Sequence, residues 1–242
     1  DAALVGERVK RKACGRARAG RGAQAAHVER GALVPVKRRA RGLRAALAEA
    51  GATVSLGDPI YPAVLPFVFG EGWVKLTSKM TLPQSILEIG PHFSEALPKL
   101  LSSMVVGPNT LCHGDYRADN LLFNENNEPV AIDFQLLGTG TGAYDIAYFV
   151  TQSLTPEVAS KHEHDLFDQW VTALITHGAQ ADLVDRKALW LHYRTAALFC
   201  LAYPVIASRG MDLSDPRQRT LIEVMTNRFD RAVRELNLAE LL

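Results

Sequence analysis

The stretch from 111 to 134, LCHGDYRADNLLFNENNEPVAIDF, constrains this chain more than any other. Short apolar runs alternate in it with polar turns. Thr110-Leu111-Cys112 reads as a strand running into a turn, and Leu121-Leu122-Phe123 as a second strand. Glu125 to Pro129 forms a turn, and Val130-Ala131-Ile132 a third strand ending at Asp133. Such a hairpin brings Asn120 and Asp133, which bracket its strands, close together, while Asp115 projects from the loop before it. Asp and Asn are common turn residues, and each of these singly could merely close a turn. Two carboxylates and an amide oxygen converging on one edge suit a hard divalent cation. Mg²⁺ takes oxygen ligands, usually one or two carboxylates plus substrate phosphates.

The spacing can be set against a template. Protein kinases carry H-R-D-x-x-x-x-N, with the Asp as base and the Asn on Mg²⁺, followed by a metal-binding Asp in D-F-G. His113-Gly114-Asp115 with Asn120 matches H-x-D-x-x-x-x-N, and Asp133-Phe134-Gln135 takes the D-F-G place. This H-G-D, N and I-D-F-Q pattern resembles the aminoglycoside phosphotransferase and choline kinase-like (CHK) family. Gly142-Ala143-Tyr144-Asp145-Ile146-Ala147-Tyr148-Phe149 is similar to the segment that follows in the ecdysteroid kinase-like branch. The resemblance is clear over about 111–152 and weaker, in helical sequence, from about Pro83 onward.

The resemblance implies a mainly helical α+β fold: a protein-kinase-like C-lobe whose small β-hairpin carries the catalytic loop. It implies an ATP- and Mg²⁺-dependent small-molecule kinase that transfers the γ-phosphate to a hydroxyl of an aminoglycoside, choline-like or other alcohol. Asp115 would orient the acceptor hydroxyl or take its proton, and Asn120 and Asp133 would hold Mg²⁺ on the ATP phosphates. Arg117 would offset charge on the transferring phosphoryl, or else form a surface ion pair with Asp119. His113 would brace the loop, and Asp145 would brace it from a helix start. By the same resemblance Trp190, His192, Tyr193 and Arg194 lie near the acceptor cleft. Taken singly, packing with a solvent-facing Arg is the plainer reading of them.

The first 50 residues are of another kind. They hold 13 Lys or Arg against 4 Asp or Glu, 14 Ala, and none of the chain's 18 aromatic residues; the remainder holds 14 Lys or Arg against 22 Asp or Glu. Charge without apolar anchors cannot offset the entropy of ordering, so 1–51 reads as a disordered or non-native leader rather than a basic arm for nucleic acid or acidic lipid. A complete family member also has an N-terminal lobe carrying the ATP-phosphate lysine. Val34-Pro35-Val36-Lys37 only faintly matches that strand motif, and no glycine-rich loop precedes it, so Lys37 receives no role. The expectation is a phosphotransferase C-lobe over 52–242 with its N-lobe missing or replaced, and little activity of this chain alone. The alternative is an inactive kinase-like remnant serving as a binding module.

Elsewhere, Ala52 to Leu82, dense in Pro and Gly, reads as irregular but packed chain, with Trp73 over the core. Helices are expected at about 83–104 with a break at Gly90-Pro91, and at 144–153, 156–177, 183–207 and 215–236. Gly138 to Ala143 fits G-x-G-x-x-A, but it begins four residues after the strand and lacks the second strand with its terminal acid, so it reads as a flexible loop. His162 and His164, two apart, point to different helix faces, which favours a solvated face over a metal site. No run of 18 apolar residues and no apolar leader occur, and three scattered cysteines form neither a disulfide framework nor a zinc site. A cytoplasmic protein acting on a small-molecule alcohol, without nucleic acid, is the expectation; oligomeric state is open.

Overall fold

The computed structural model of the chain describes residues 54–55 and 57–242. The leader at 1–51 and Lys37 lie outside the described residues. The described part is mainly helical with two small sheets, an α+β arrangement.

The chain enters through β1 (Val54–Ser55) and then forms α1 (Ile60–Lys79). This corrects the expectation of irregular chain. Tyr61, Leu65, Phe69, Gly72 and Leu76 recur at helical spacing and face the core, and that stripe prevails over the Pro and Gly signals. Pro62 sits in the first turn, where its missing N–H would have no helical partner anyway, so only Pro66 interrupts the ladder.

The next helix, α2 (Gln84–Ser103), runs unbroken through Gly90-Pro91. Here Gly90 serves packing: a Cβ there would stand 2.0 Å from the Trp73 ring, which lies directly on the α2 backbone. Gly72 does the same for α1, where a Cβ would meet the Val205 carbonyl at 2.3 Å.

Strand β2 (Asn109–Cys112) leads into the central loop, and β3 (Leu121–Phe123) pairs antiparallel with β4 (Pro129–Ala131), Leu121 opposite Ala131. Gly138 to Thr141, expected as a flexible loop, is β5. It lies between β1, to which it is parallel, and β2, to which it is antiparallel. A Gly-Thr-Gly-Thr run has little strand propensity of its own, so the pairing comes from its two neighbours.

Five helices follow: α3 (Ala143–Ser153), α4 (Pro156–Thr176), α5 (Arg186–Phe199), α6 (Ala202–Gly210) and α7 (Pro216–Glu235). The single helix expected over 183–207 is therefore two, parted at Cys200-Leu201. Thr155 and Asp215 cap α4 and α7, each accepting a backbone N–H three residues on, with Pro at the first helical position.

One core joins these helices around Phe69, Phe93, Phe167, Tyr193 and Phe229. The site follows from this frame: β2 and β5 present the loop, and α3, starting just after β5, lies beneath it.

Candidate functional site

The 113–115 loop is clamped from below. Asp145, in the first turn of α3, accepts the His113 N–H at 2.7 Å on one carboxylate oxygen and the Gly114 N–H at 3.1 Å on the other. Burial pushes its pKa up, and these two bonds act to lower it. Gly114 is dictated by geometry. Its φ is +86°, and a Cβ would stand 2.1 Å from the Leu136 carbonyl oxygen.

His113 is buried. Its Nδ1 lies 3.3 Å from the Asp115 N–H and its Nε2 2.9 Å from the Ile132 carbonyl, a pattern satisfied when Nε2 carries the proton. Its ring also packs on Phe134, centroids 4.6 Å apart. The imidazole thus ties the loop to the end of β4, in keeping with the bracing role.

Asp115 and Asn120 meet directly. The Asn120 Nδ2 donates to the Asp115 backbone carbonyl at 2.8 Å and to its carboxylate Oδ2 at 2.9 Å, with both residues buried. With Nδ2 spent there, the atom Asn120 can offer a ligand is its oxygen. The other Asp115 oxygen, Oδ1, accepts the Tyr148 hydroxyl at 2.9 Å and lies 3.2 Å from the Arg117 Nε. Arg117 is exposed, and Asp119 lies farther from it, at 3.9 Å, than Asp115 does.

Asp133 reaches the same edge from the other strand. The Ile132 N–H donates to the Asn120 carbonyl at 2.9 Å, closing the hairpin just before Asp133. Asp133 is exposed and left-handed, φ 66° and ψ 62°, a conformation Asp tolerates better than most residues and one found at ligand-holding turns. The fold therefore brings Asp115, Asn120 and Asp133 to one end of one hairpin. Around it Leu122, Phe123, Val130, Phe134 and Leu136 expose apolar surface.

Sequence reading missed Tyr148. Burial and the Asp115 carboxylate push its hydroxyl well above the usual tyrosine range, so it stays a donor. It packs on Tyr203, centroids 4.6 Å apart, and stacks parallel to Tyr144, whose hydroxyl bonds that of Tyr203 and donates to the Gly114 carbonyl at 3.3 Å. The available signal was spacing: Tyr148 stands three residues after Asp145, on one face of α3. That face grips the loop twice, by carboxylate to its amides and by hydroxyl to its acid.

Of the α5 residues expected near an acceptor cleft, Trp190, Tyr193 and Arg194 are engaged in packing and hydrogen bonds within the protein. Tyr193 is buried and donates to Glu163 at 2.6 Å, and Trp190 stacks on it. Arg194 is not solvent-facing as read. It donates to the Leu236 and Asn237 carbonyls, each at 2.8 Å, and fixes the C-terminal segment. His162 and His164 are exposed, and no cluster of three His, Cys, Asp or Glu fit for a metal occurs among the described residues.

What these observations define is a mainly helical α+β domain with a clamped polar loop at its surface. The model of the ecdysteroid kinase-like family matches residues 73–182, an interval that holds the whole loop, the hairpin and α3. The match points to kinase-like phosphotransfer as the chemistry of this stretch. None of the curated proteins matches the chain.

Proposed function

We propose that 52–242 is the C-terminal lobe of an ATP- and Mg²⁺-dependent phosphotransferase acting on a hydroxyl of a small molecule. The observation that carries this is the convergence of the buried Asp115–Asn120 pair with the exposed, left-handed Asp133 at one hairpin end. The donor set fits Mg²⁺: a carboxylate from Asp133 and the amide oxygen of Asn120 are both hard ligands. Bound there, Mg²⁺ would neutralise charge on the phosphates.

Asp115 orients the acceptor hydroxyl and takes its proton. Tyr148 and Asn120, each bonded to one of its oxygens, hold the carboxylate in one rotamer. Asp145 holds the loop backbone. Arg117 moves from its contact with Asp115 toward the transferring phosphoryl group. The apolar surface around the hairpin suits the underside of a covering nucleotide lobe.

Mg²⁺-ATP titration followed by amide NMR tests the reading. The side-chain amide of Asn120 and the backbone amides of 132–135 shift first, and Tm rises with ligand by mass action. ADP release is then followed over amino-sugar, choline-like and steroid alcohols. No shift at Asn120 or Asp133 at saturating Mg²⁺-ATP would leave the chain as a non-catalytic binding module.

A further inference from the structure

A cavity of about 390 Å³ lies between α1, α6 and the back of the central loop. Its walls include Leu65 of α1, Ile206 of α6, Leu101, Leu136, and the rings of Tyr144 and Tyr203. Gly114 contributes backbone. Neither Asp115 nor Tyr148 lines it: the Tyr144–Tyr203 pair stands between the cavity and the Tyr148 hydroxyl that holds Asp115. The described lining thus excludes the acidic pair, although Gly114 of the same loop forms part of the wall.

Its chemistry is narrow. None of its described lining residues is charged. Of the three lining tyrosines, Tyr144 and Tyr203 bond each other through their hydroxyls, and that of Tyr144 donates onward to the Gly114 carbonyl. The Cys112 Sγ donates to the Thr141 carbonyl at 3.3 Å. Apart from the Tyr61 hydroxyl at the mouth, the side-chain polar groups on the described wall are therefore engaged with the protein itself, and the remaining surface is hydrocarbon and aromatic. Anions, sugars and nucleotides would lose their hydration there without replacement.

The size also points to a ligand. Small-molecule sites begin at roughly 300 Å³. An apolar cavity of about 150 Å³ takes one benzene, so this one has room for a body on the order of two to three rings. Leu136, 51% exposed, and the half-buried Tyr61 and Leu65 mark the mouth.

We infer that this cavity binds a compact, uncharged, predominantly hydrocarbon molecule behind the Tyr144–Tyr203 pair, at a site distinct from Asp115. Occupancy stiffens the tyrosine layer on which the Asp115 rotamer rests. The inference does not depend on phosphotransfer.

The test uses the full chain, with naphthalene as probe and naphthalene-2-sulfonate as the charged control. Naphthalene is expected to shift the methyl NMR signals of Leu65, Leu101 and Ile206 and to raise Tm, and the sulfonate to do neither. Ala207→Leu and Ile206→Phe, which fill the cavity from α6, are expected to keep dispersed spectra and lose the response. Asp115→Asn is expected to retain it. Absence of methyl shifts at saturation, equal binding of the sulfonate, or undiminished binding in both filled variants overturns the inference. So does loss of binding in Asp115→Asn, which would place the probe at the acidic loop edge instead.

Discussion

At the residue scale, the proposed scheme gives three acids around the central loop, Asp115, Asp133 and Asp145, three different jobs, and substitution separates them. Asp115→Asn keeps the shape but removes the proton acceptor. In a version of the protein with measurable turnover the rate is expected to fall by about 10² to 10⁴, with nucleotide affinity little changed. A rate within about threefold of the parent would remove Asp115 from the proposed mechanism. Asp133→Ala is expected to act on the metal instead: the Mg²⁺ concentration needed for ATP binding rises, because a charged ligand is gone. An unchanged Mg²⁺ titration would reduce Asp133 to a turn residue. Asp145 never faces substrate in this scheme. It accepts two backbone N–H groups with its two oxygens, and Asn can accept only one while turning a donor toward the other. Asp145→Asn is therefore expected to cost about 1–3 kcal/mol in urea unfolding, and unchanged stability would show that the clamp carries no weight.

At the scale of elements, the buried Glu163–Arg231 pair ties α4 to α7, and Tyr193 of α5 donates to the same carboxylate at 2.6 Å. Both partners are nearly fully buried. Arg231→Met leaves Glu163 charged without its cation, at a cost of about 3–5 kcal/mol. Adding Glu163→Gln, which keeps an acceptor for Tyr193, is expected to restore much of that loss, and a double variant no better than the single would argue against charge as the cause. Legibility also divides by element. The hairpin is readable because its polar residues fall at fixed spacings between short apolar runs, and α4 because Thr155-Pro156 is a strong local start signal. The α1 stripe at 61, 65, 69, 72 and 76 is equally present in the sequence, but the prolines and glycines between its members carry a competing turn signal. Gly90 shows why that fails: it serves the approach of Trp73, a partner outside its own helix. Strand β5 was beyond local reading, since Gly-Thr-Gly-Thr becomes a strand only through β1 and β2. The Tyr148–Asp115 bond spans 33 positions, so local sequence offers only the placing of Tyr148 on the Asp145 face of α3 and not its partner.

At the scale of the whole molecule, burial has raised the pKa of several groups that are neutral when protonated, and this fixes how stability responds to alkali. Burial pushes the fully buried Cys200 thiol from 9.0 up to about 12. The hydroxyls of Tyr148, Tyr193 and Tyr203 are raised too, first by burial and then by the carboxylates of Asp115 or Glu163. In each case the unfolded chain loses its proton at a lower pH than the native chain does. Between the two pKa values the native state binds more protons, so stability must fall as pH rises. The window opens near 9 with Cys200 and widens above 10 as the tyrosines of the unfolded chain begin to ionise. Each such proton contributes a slope of about 1.4 kcal/mol per pH unit once the unfolded group is fully ionised. Urea unfolding at about pH 8, 9, 10 and 10.5 is expected to show a gentle decline that steepens across the series. Cys200→Ala removes the earliest contributor, so its decline between about pH 9 and 10 should be shallower by a fraction of one proton, while the later tyrosine-driven fall remains. Identical slopes for parent and Cys200→Ala would mean that the thiol ionises in place, and that the core around it admits charge or water that its packing against Ala196 and Thr151 should exclude.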